Sequence, residues 1–178
     1  ISALKLSKKT LKIIRLNMGW ALIYNVIGLP IAAAGLLSPL YAAAAMAAIT
    51  LDHLSNGRFI LGVGASGPQV VEGWYGQRFN KPLARTREYV EIIRKIIARE
   101  ERLTNAGPEY PIPAQDGLGL GKALNVMTHP IRPDMPIFIG AEGPKNVALA
   151  AEIADGWYPI FYAPRHEEMY TKHLNEGF

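Results

Sequence analysis

The stretch RFILGVGASG, residues 58–67, decides the fold class. Arg58–Val63 is a short, continuous apolar run, the pattern of a parallel strand buried on both faces. A Gly-rich turn, Gly64–Pro68, follows at once. Two more such runs lie downstream: Pro136–Gly140 and Trp157–Phe161. Helical segments separate them. Within Ala84–Arg102, Tyr89, Ile93, Ile96 and Ile97 recur at helical spacing with charges opposite. Asn146–Ala154 is an Ala-rich helix. Pro144 is placed for a first helical position, and Asp155 with Gly156 ends the segment. Arg165–Leu174 predicts a last helix. Alternating strands and helices imply a parallel sheet with right-handed crossovers, either a barrel or a doubly wound sheet. Before the first strand, Asp52–Gly57 is polar turn chemistry in which Asn56 and Gly57 can take positive φ. Thr104–Pro136 is a long Pro- and Gly-rich excursion, a length that is usually functional or disordered.

Upstream the composition changes. No charged residue occurs from Leu16 to Leu51, and an uncharged apolar run of this length is a candidate membrane span. Lys5, Lys8, Lys9, Lys12 and Arg15 carry +5 of a net +4, so the rest of the chain carries −1. That argues against a nucleic-acid surface and suits the cytoplasmic flank of a membrane helix. Leu11, Ile14 and Met18 share one helical face. Trp20 and Tyr24 suit a bilayer interface; Pro30 should kink the helix and Pro39 end it. Leu40–Ile49 then begins a second apolar stretch. The expected division is a membrane-like helical segment, 1–47, and an enzyme-like domain, 48–178, of separate origin and joined near Ala47–Ala48. Leu16–Leu37 is expected to be helical and to pack poorly on the rest. The chain has no cysteine, which excludes disulfides, thiolate zinc sites and a cysteine nucleophile. His53, His129, His166 and His173 show no metal spacing and read as surface or loop residues. Asp155 reads as a cap or turn residue.

The string KKTLKIIRLNMGWALIYNVIGLPIAAAGLLSPLYAAAAMA, residues 8–47, resembles the C-terminal membrane region of heavy-metal-transporting, copper-type P-type ATPases. The resemblance implies one membrane helix, a short loop and the start of the next. In that family Tyr24, Asn25 and Met46 would match metal ligands. One and a half helices cannot enclose a transport path, so these residues are expected to be inert here and no metal site is assigned. A fragment of such an ATPase is the alternative reading of the whole chain.

Gly62, Gly64 and Gly67 fit the dinucleotide fingerprint, which also requires a helix opening at the turn and a second strand ending in an acid. Pro68 and the GWYG of residues 73–76 follow instead, and Glu88 lies inside a helix. The segments LDHLSNGRFILGVGASGPQVVEGWYG (51–76), KPLARTREYVEIIRKI (81–96) and IFIGAEGPKNVALAAEIADGWYPI (137–160) resemble the luciferase-like monooxygenase superfamily. Within it they look like the coenzyme F420-dependent oxidoreductases. The resemblance implies an α/β fold, an incomplete TIM-type (β/α) barrel of parallel strands preceded by the hydrophobic segment. It implies hydride transfer between the deazaflavin F420 and a small organic substrate, with an FMN-dependent monooxygenase as the alternative. A homodimer, a cytoplasmic enzyme part and a membrane-contacting N-terminal segment complete the expectation.

The same resemblance places Gly64, Ala65, Ser66 and Gly67 beside the cofactor ring. It places Ala141, Glu142, Gly143, Pro144 and Lys145 at the cofactor tail. Small residues do let a flat ring approach the backbone, and a helix N-terminus favours phosphate. Glu142 would repel a phosphate at close range, and Lys145 could offset it. The early strands that carry the family's acid–histidine region should precede Ala48, where membrane-like sequence stands. No catalytic residue is therefore assigned. The two turns are expected to form one side of a site, with weak or no binding by this chain alone and recovery when the family's early strands stand in place of Ile1–Ala47.

Overall fold

A buried stripe recurring every three or four residues organises the first described element. In α1, Leu40–Leu54, Ala45, Ala48, Ile49 and Asp52 are all buried, the spacing of a core-facing helical face. The structure is a computed structural model that describes residues 40–160 and 162–178. The chain divides into the units Ile1–Leu40 and Tyr41–Phe178, and the sheet and its helices belong to the second. The expected membrane helix, Leu16–Leu37, with Tyr24 and Asn25, lies outside the described residues. The expected start of a second membrane helix falls in α1, which ends at Leu54; no described helix is long and apolar enough to cross a membrane. The residue pair Ala47–Ala48 lies inside α1. The expected turn at Asp52 is also shifted, because Asp52, His53 and Leu54 are helical and the chain turns only at Asn56 and Gly57, with φ of 56° and 75°.

Strand β1, Leu61–Gly64, pairs in parallel with β2, Ile137–Gly140, which pairs in parallel with β3, Gly156–Tyr158. The sheet order is β1-β2-β3, as the alternating pattern predicts. Each strand is shorter than its apolar run, for visible reasons. The backbone of Phe59 is taken by side chains: its N–H donates to Asp52 Oδ1 (3.1 Å) and its carbonyl accepts from Arg132 Nη2 (2.6 Å). Laddering therefore begins at Leu61, whose N–H donates to the Pro136 carbonyl at 2.9 Å. At the other end, Pro159 has no N–H to continue β3.

Between β1 and β2 come a short helix, α2, Pro68–Gly73, and the long α3, Pro82–Ala98. The helix opening at Pro68 departs from the sequence expectation. No strand separates α2 from α3, so the second strand of a dinucleotide fold is absent among the described residues. Helix α3 buries Val90, Ile92, Ile93, Ile96 and Ile97 and ends at Arg99, which takes a left-handed φ of 53°. Helix α4, Pro144–Ile153, connects β2 to β3, and α5, Glu167–Gly177, follows a 3-10 turn at Pro164–His166. Gly177 lets α5 sit close on α4: a Cβ there would lie 2.7 Å from that of Ala151.

The expectation of strands buried on both faces is corrected. Register and strand alternation put Leu61, Val63, Ile137, Ile139 and Trp157 on one face, against the isoleucines of α3 and the buried side of α4. The other face carries Gly62, Gly64, Phe138, Gly140, Gly156 and Tyr158. Of these, Gly62, Gly64, Gly140 and Tyr158 are exposed.

Two buried carboxylates tie the connections down. Asp52, 1% exposed, forms a two-pronged pair with Arg132, from Nε to Oδ2 (3.0 Å) and from Nη2 to Oδ1 (2.9 Å). Glu88 of α3 accepts the Tyr110 N–H (2.9 Å), the Glu109 N–H (3.1 Å) and the Asn105 amide (3.2 Å). It thereby pins the start of the long excursion, where Asn105 and Ile112 form an antiparallel bridge. The excursion is irregular beyond that bridge, and Leu118, Leu120, Leu124 and Met127 are exposed. Asp155, expected as a cap or turn residue, instead ties β2 to α3: Oδ2 accepts from the Ile137 N–H (2.8 Å) and from Arg94 (2.9 Å).

Both anchors can be tested by substitution. The Arg132 guanidinium holds the Asp52 carboxyl below its ordinary value, and the Phe59 N–H adds to this against the opposing effect of burial. A carboxyl depressed in the folded state contributes stability that is complete above its unfolded pKa of about 3.9. That stability is lost as pH falls through the lower folded value. Asp52→Ala should cost about 2–3 kcal/mol at pH 7, because it strands the Phe59 N–H and the Arg132 charge. Its urea midpoint should also change less than that of the parent below pH 4. Gly107→Ala should cost about 1–3 kcal/mol, because the added Cβ would lie 2.7 Å from Glu88 Oε1. Urea unfolding would read that loss, and faster amide exchange at Glu109 and Tyr110 would locate it.

Candidate functional site

Loops leaving the C-terminal ends of adjacent parallel strands converge, and ligands of such folds bind there. Gly64 ends β1 and Gly140 ends β2, and the two are register partners. The turns Gly64–Gly67 and Ala141–Lys145 therefore leave the same edge of the sheet side by side. The two backbones approach so closely that a Cβ on Gly64 would lie 3.2 Å from the Gly140 carbonyl oxygen.

In the first turn Ser66 takes a left-handed φ of 56°, which costs an ordinary residue about 1–2 kcal/mol and marks a site of stored strain. Gly67 caps α2, its carbonyl accepting from the Val70 and Val71 N–H groups at 3.1 and 3.0 Å. Ala65 is half-buried.

In the second turn Ala141 is buried, and its carbonyl accepts the Trp157 indole N–H at 2.9 Å. Gly143 caps α4 with φ 79° and ψ 151°, a conformation a side chain would strain. Nothing lies within 4 Å of where its Cβ would stand. Pro144 takes the first helical position, as expected, and Lys145 is exposed in the first turn. First-turn N–H groups have no partner inside their helix, and the helix dipole adds positive potential there.

Glu142 has a structural partner. Its Oε1 accepts the Ile160 N–H at 2.6 Å. The carboxylate thus clasps the turn after β3 to the turn after β2; the Ile160 N–H is a neutral donor, so the negative charge stays at this edge.

Sequence reasoning misses three residues of this edge. Gly140, Phe138 and Tyr158 share the open face with Gly62 and Gly64. The alternation of Gly62 and Gly64 is the available signal, and an otherwise continuous apolar run masks it. The Phe138 ring covers Gly156, where an added Cβ would fall 2.6 Å from the ring.

The histidines converge on nothing. His53 Nε2 lies 2.6 Å from the His129 carbonyl oxygen, and His173 lies 3.3 Å from Glu176. His53 and His173 sit on helices and His166 in the 3-10 turn, with only His129 in a loop. Met46 lies exposed on α1. Among the described residues no three His, Cys, Asp or Glu side chains group as metal ligands. A shallow cleft of about 270 Å³, lined by Arg99, His129 and Arg132 among others, lies where α3 ends and the chain approaches β2. It is at the end of the strands remote from the two turns.

The luciferase-like monooxygenase family model matches residues 28–178. Rv3520c of Mycobacterium tuberculosis, provisionally named a coenzyme F420-dependent oxidoreductase, is 67% identical over 138 residues, covering 76% of this chain and 40% of that protein. The solved coenzyme F420-dependent tetrahydromethanopterin reductase of Methanopyrus kandleri superposes with a TM-score of 0.64 at 23% identity, over 79% of this chain and 42% of that one. A copper-exporting P-type ATPase of M. tuberculosis is 46% identical over 76 residues, covering 38% of this chain and 10% of that protein. The chain thus spans about two fifths of the length of Rv3520c and shares the parallel α/β fold of the reductase. With its strands, its glycine-ended edge and a family match covering most of its length, the chain belongs to the luciferase-like monooxygenase family.

Proposed function

We propose that this chain is part of a coenzyme F420-dependent oxidoreductase that transfers a hydride between the deazaflavin and a small organic substrate. The observation that carries the reading is the adjacency of the turns Gly64–Gly67 and Ala141–Lys145 at one sheet edge. The identity to Rv3520c supports F420 as the cofactor.

The residues present fit such a group. F420, when bound, supplies a flat ring that gives or takes a hydride and a phosphate-bearing tail. Gly64 and Gly140 leave bare backbone that a flat ring can approach. Gly64, Ala65, Ser66 and Gly67 border that surface, with Ser66 held in its left-handed conformation by the turn. Ala141, Glu142, Gly143, Pro144 and Lys145 form the tail subsite. There the first-turn N–H groups of α4 face the phosphate, and Lys145 adds a positive charge. Glu142 keeps its charge beside that subsite, with one carboxylate oxygen on the Ile160 N–H, and Lys145 is the group that offsets it. These turns form one wall; a homodimer and a separate origin for residues 1–47 remain part of the proposal.

The test is a fluorescence titration with F420 and, in parallel, FMN. Saturable but weak F420 binding is expected, because the described residues supply one wall. Gly143→Asp should weaken it about tenfold or more, through like charge beside the phosphate and strain at φ 79°. Binding of neither cofactor overturns the oxidoreductase reading. Preference for FMN retains the family and overturns F420.

A further inference from the structure

The open face of the sheet ends in a row of three register partners, Gly64, Gly140 and Tyr158. Two of the three have no side chain. The third carries a phenol ring that is 70% exposed. One layer below, the row is Gly62, Phe138 and Gly156, with the Phe138 ring lying over Gly156. The surface is thus a flat strip of backbone with an aromatic floor and a single upright wall at its β3 end.

That wall stands on an anchored backbone. On its N-terminal side the Trp157 indole N–H is bonded to the Ala141 carbonyl at 2.9 Å. The Trp157 ring also packs against Tyr170 of α5, with centroids 4.8 Å apart. On its C-terminal side Pro159 restricts the chain, and the Ile160 N–H is held by Glu142 at 2.6 Å. A large aromatic on a backbone fixed from both sides has only its two side-chain torsions left to order on meeting a ligand. Its face favours an offset stack with another flat ring.

We propose that Tyr158 is the side wall of the ring subsite, stacking on a planar fused heterocycle whose edge rests on Gly64 and Gly140. The inference rests on the proposed F420 reading. It deepens it by separating a ring subsite (Gly64, Gly140, Tyr158) from a tail subsite (Gly143, Lys145). Tyr158 acts through its ring face, so its hydroxyl is dispensable, and its contribution is independent of the phosphate.

The experiment titrates the full chain and three variants with two probes: F420, and its phosphate-free deazaflavin–ribityl core. Tyr158→Ala should weaken both probes by the same factor, about tenfold, the scale of one aromatic stack. Tyr158→Phe should stay within about twofold of the parent for both. Gly143→Asp should weaken F420 and leave the core within about twofold. Equal circular dichroism and thermal midpoints establish that Tyr158→Ala is folded, and Tyr158→Phe gives an independent arm that keeps an aromatic ring. If the parent binds both probes and Tyr158→Ala changes neither, or weakens F420 alone, the side-wall inference fails and the F420 reading stands. If Tyr158→Phe loses as much as Tyr158→Ala, stacking fails as the mode of contact. If the parent binds neither probe, the F420 reading falls and this inference with it.

Discussion

The buried pair of Asp52 and Arg132 is the constraint on which the described fold depends. One carboxylate receives the guanidinium from the approach to β2 and the Phe59 N–H from the approach to β1. The same guanidinium returns a bond to the Phe59 carbonyl. The Asp52 carbonyl meanwhile accepts the Gly57 N–H at 2.9 Å, closing the turn out of α1. The end of α1, the approach to β1 seven residues on and the distant approach to β2 therefore meet at a single charged group. Removing the guanidinium would leave the Asp52 charge in the interior without its partner, which is what makes such pairs costly to break. The pair also sets where β1 begins, by occupying the backbone of Phe59, and so fixes which residues reach the far edge of the sheet.

From that starting point the functional edge follows by counting. A ladder that starts at Leu61 and pairs with Ile137 brings Gly64 level with Gly140, and Gly140 level with Tyr158. A shift of one residue would turn every side chain to the opposite face. It would bring the glycines onto the isoleucines of α3 and leave Val63 and Ile139 on the open side. The helix-side packing thus enforces the bare backbone strip on the other face. At the same edge the Glu142 carboxylate braces two turns through the Ile160 N–H.

Much of this was legible in the sequence. Apolar runs separated by a helical isoleucine pattern identified three parallel strands and their crossovers. The chemistry of Gly143 and Pro144 identified the start of α4, because a positive φ and a fixed proline φ are local requirements. The positive φ at Asn56 and Gly57 was legible for the same reason. Less was legible where a distant residue decides. An all-apolar stretch such as Leu40–Leu51 looks alike whether it faces lipid or an isoleucine core, and only the buried stripe Ala45, Ala48, Ile49 and Asp52 distinguishes the two. The role of Glu142 could not be read, since its partner Ile160 lies across a helix and a strand.

The sequence by itself determined the order of elements, the parallel sense of the sheet, the family and the two turns that follow β1 and β2. Those properties rest on local propensity, periodicity and backbone conformations that only a few residues accept. Tertiary structure alone decided the strand register, the face on which the glycines open, the anchoring of Tyr158 and the closing of Asp52 on Arg132. Each of these depends on a long-range partner, and a chain encodes long-range partners only through packing that must be complete before it can be read.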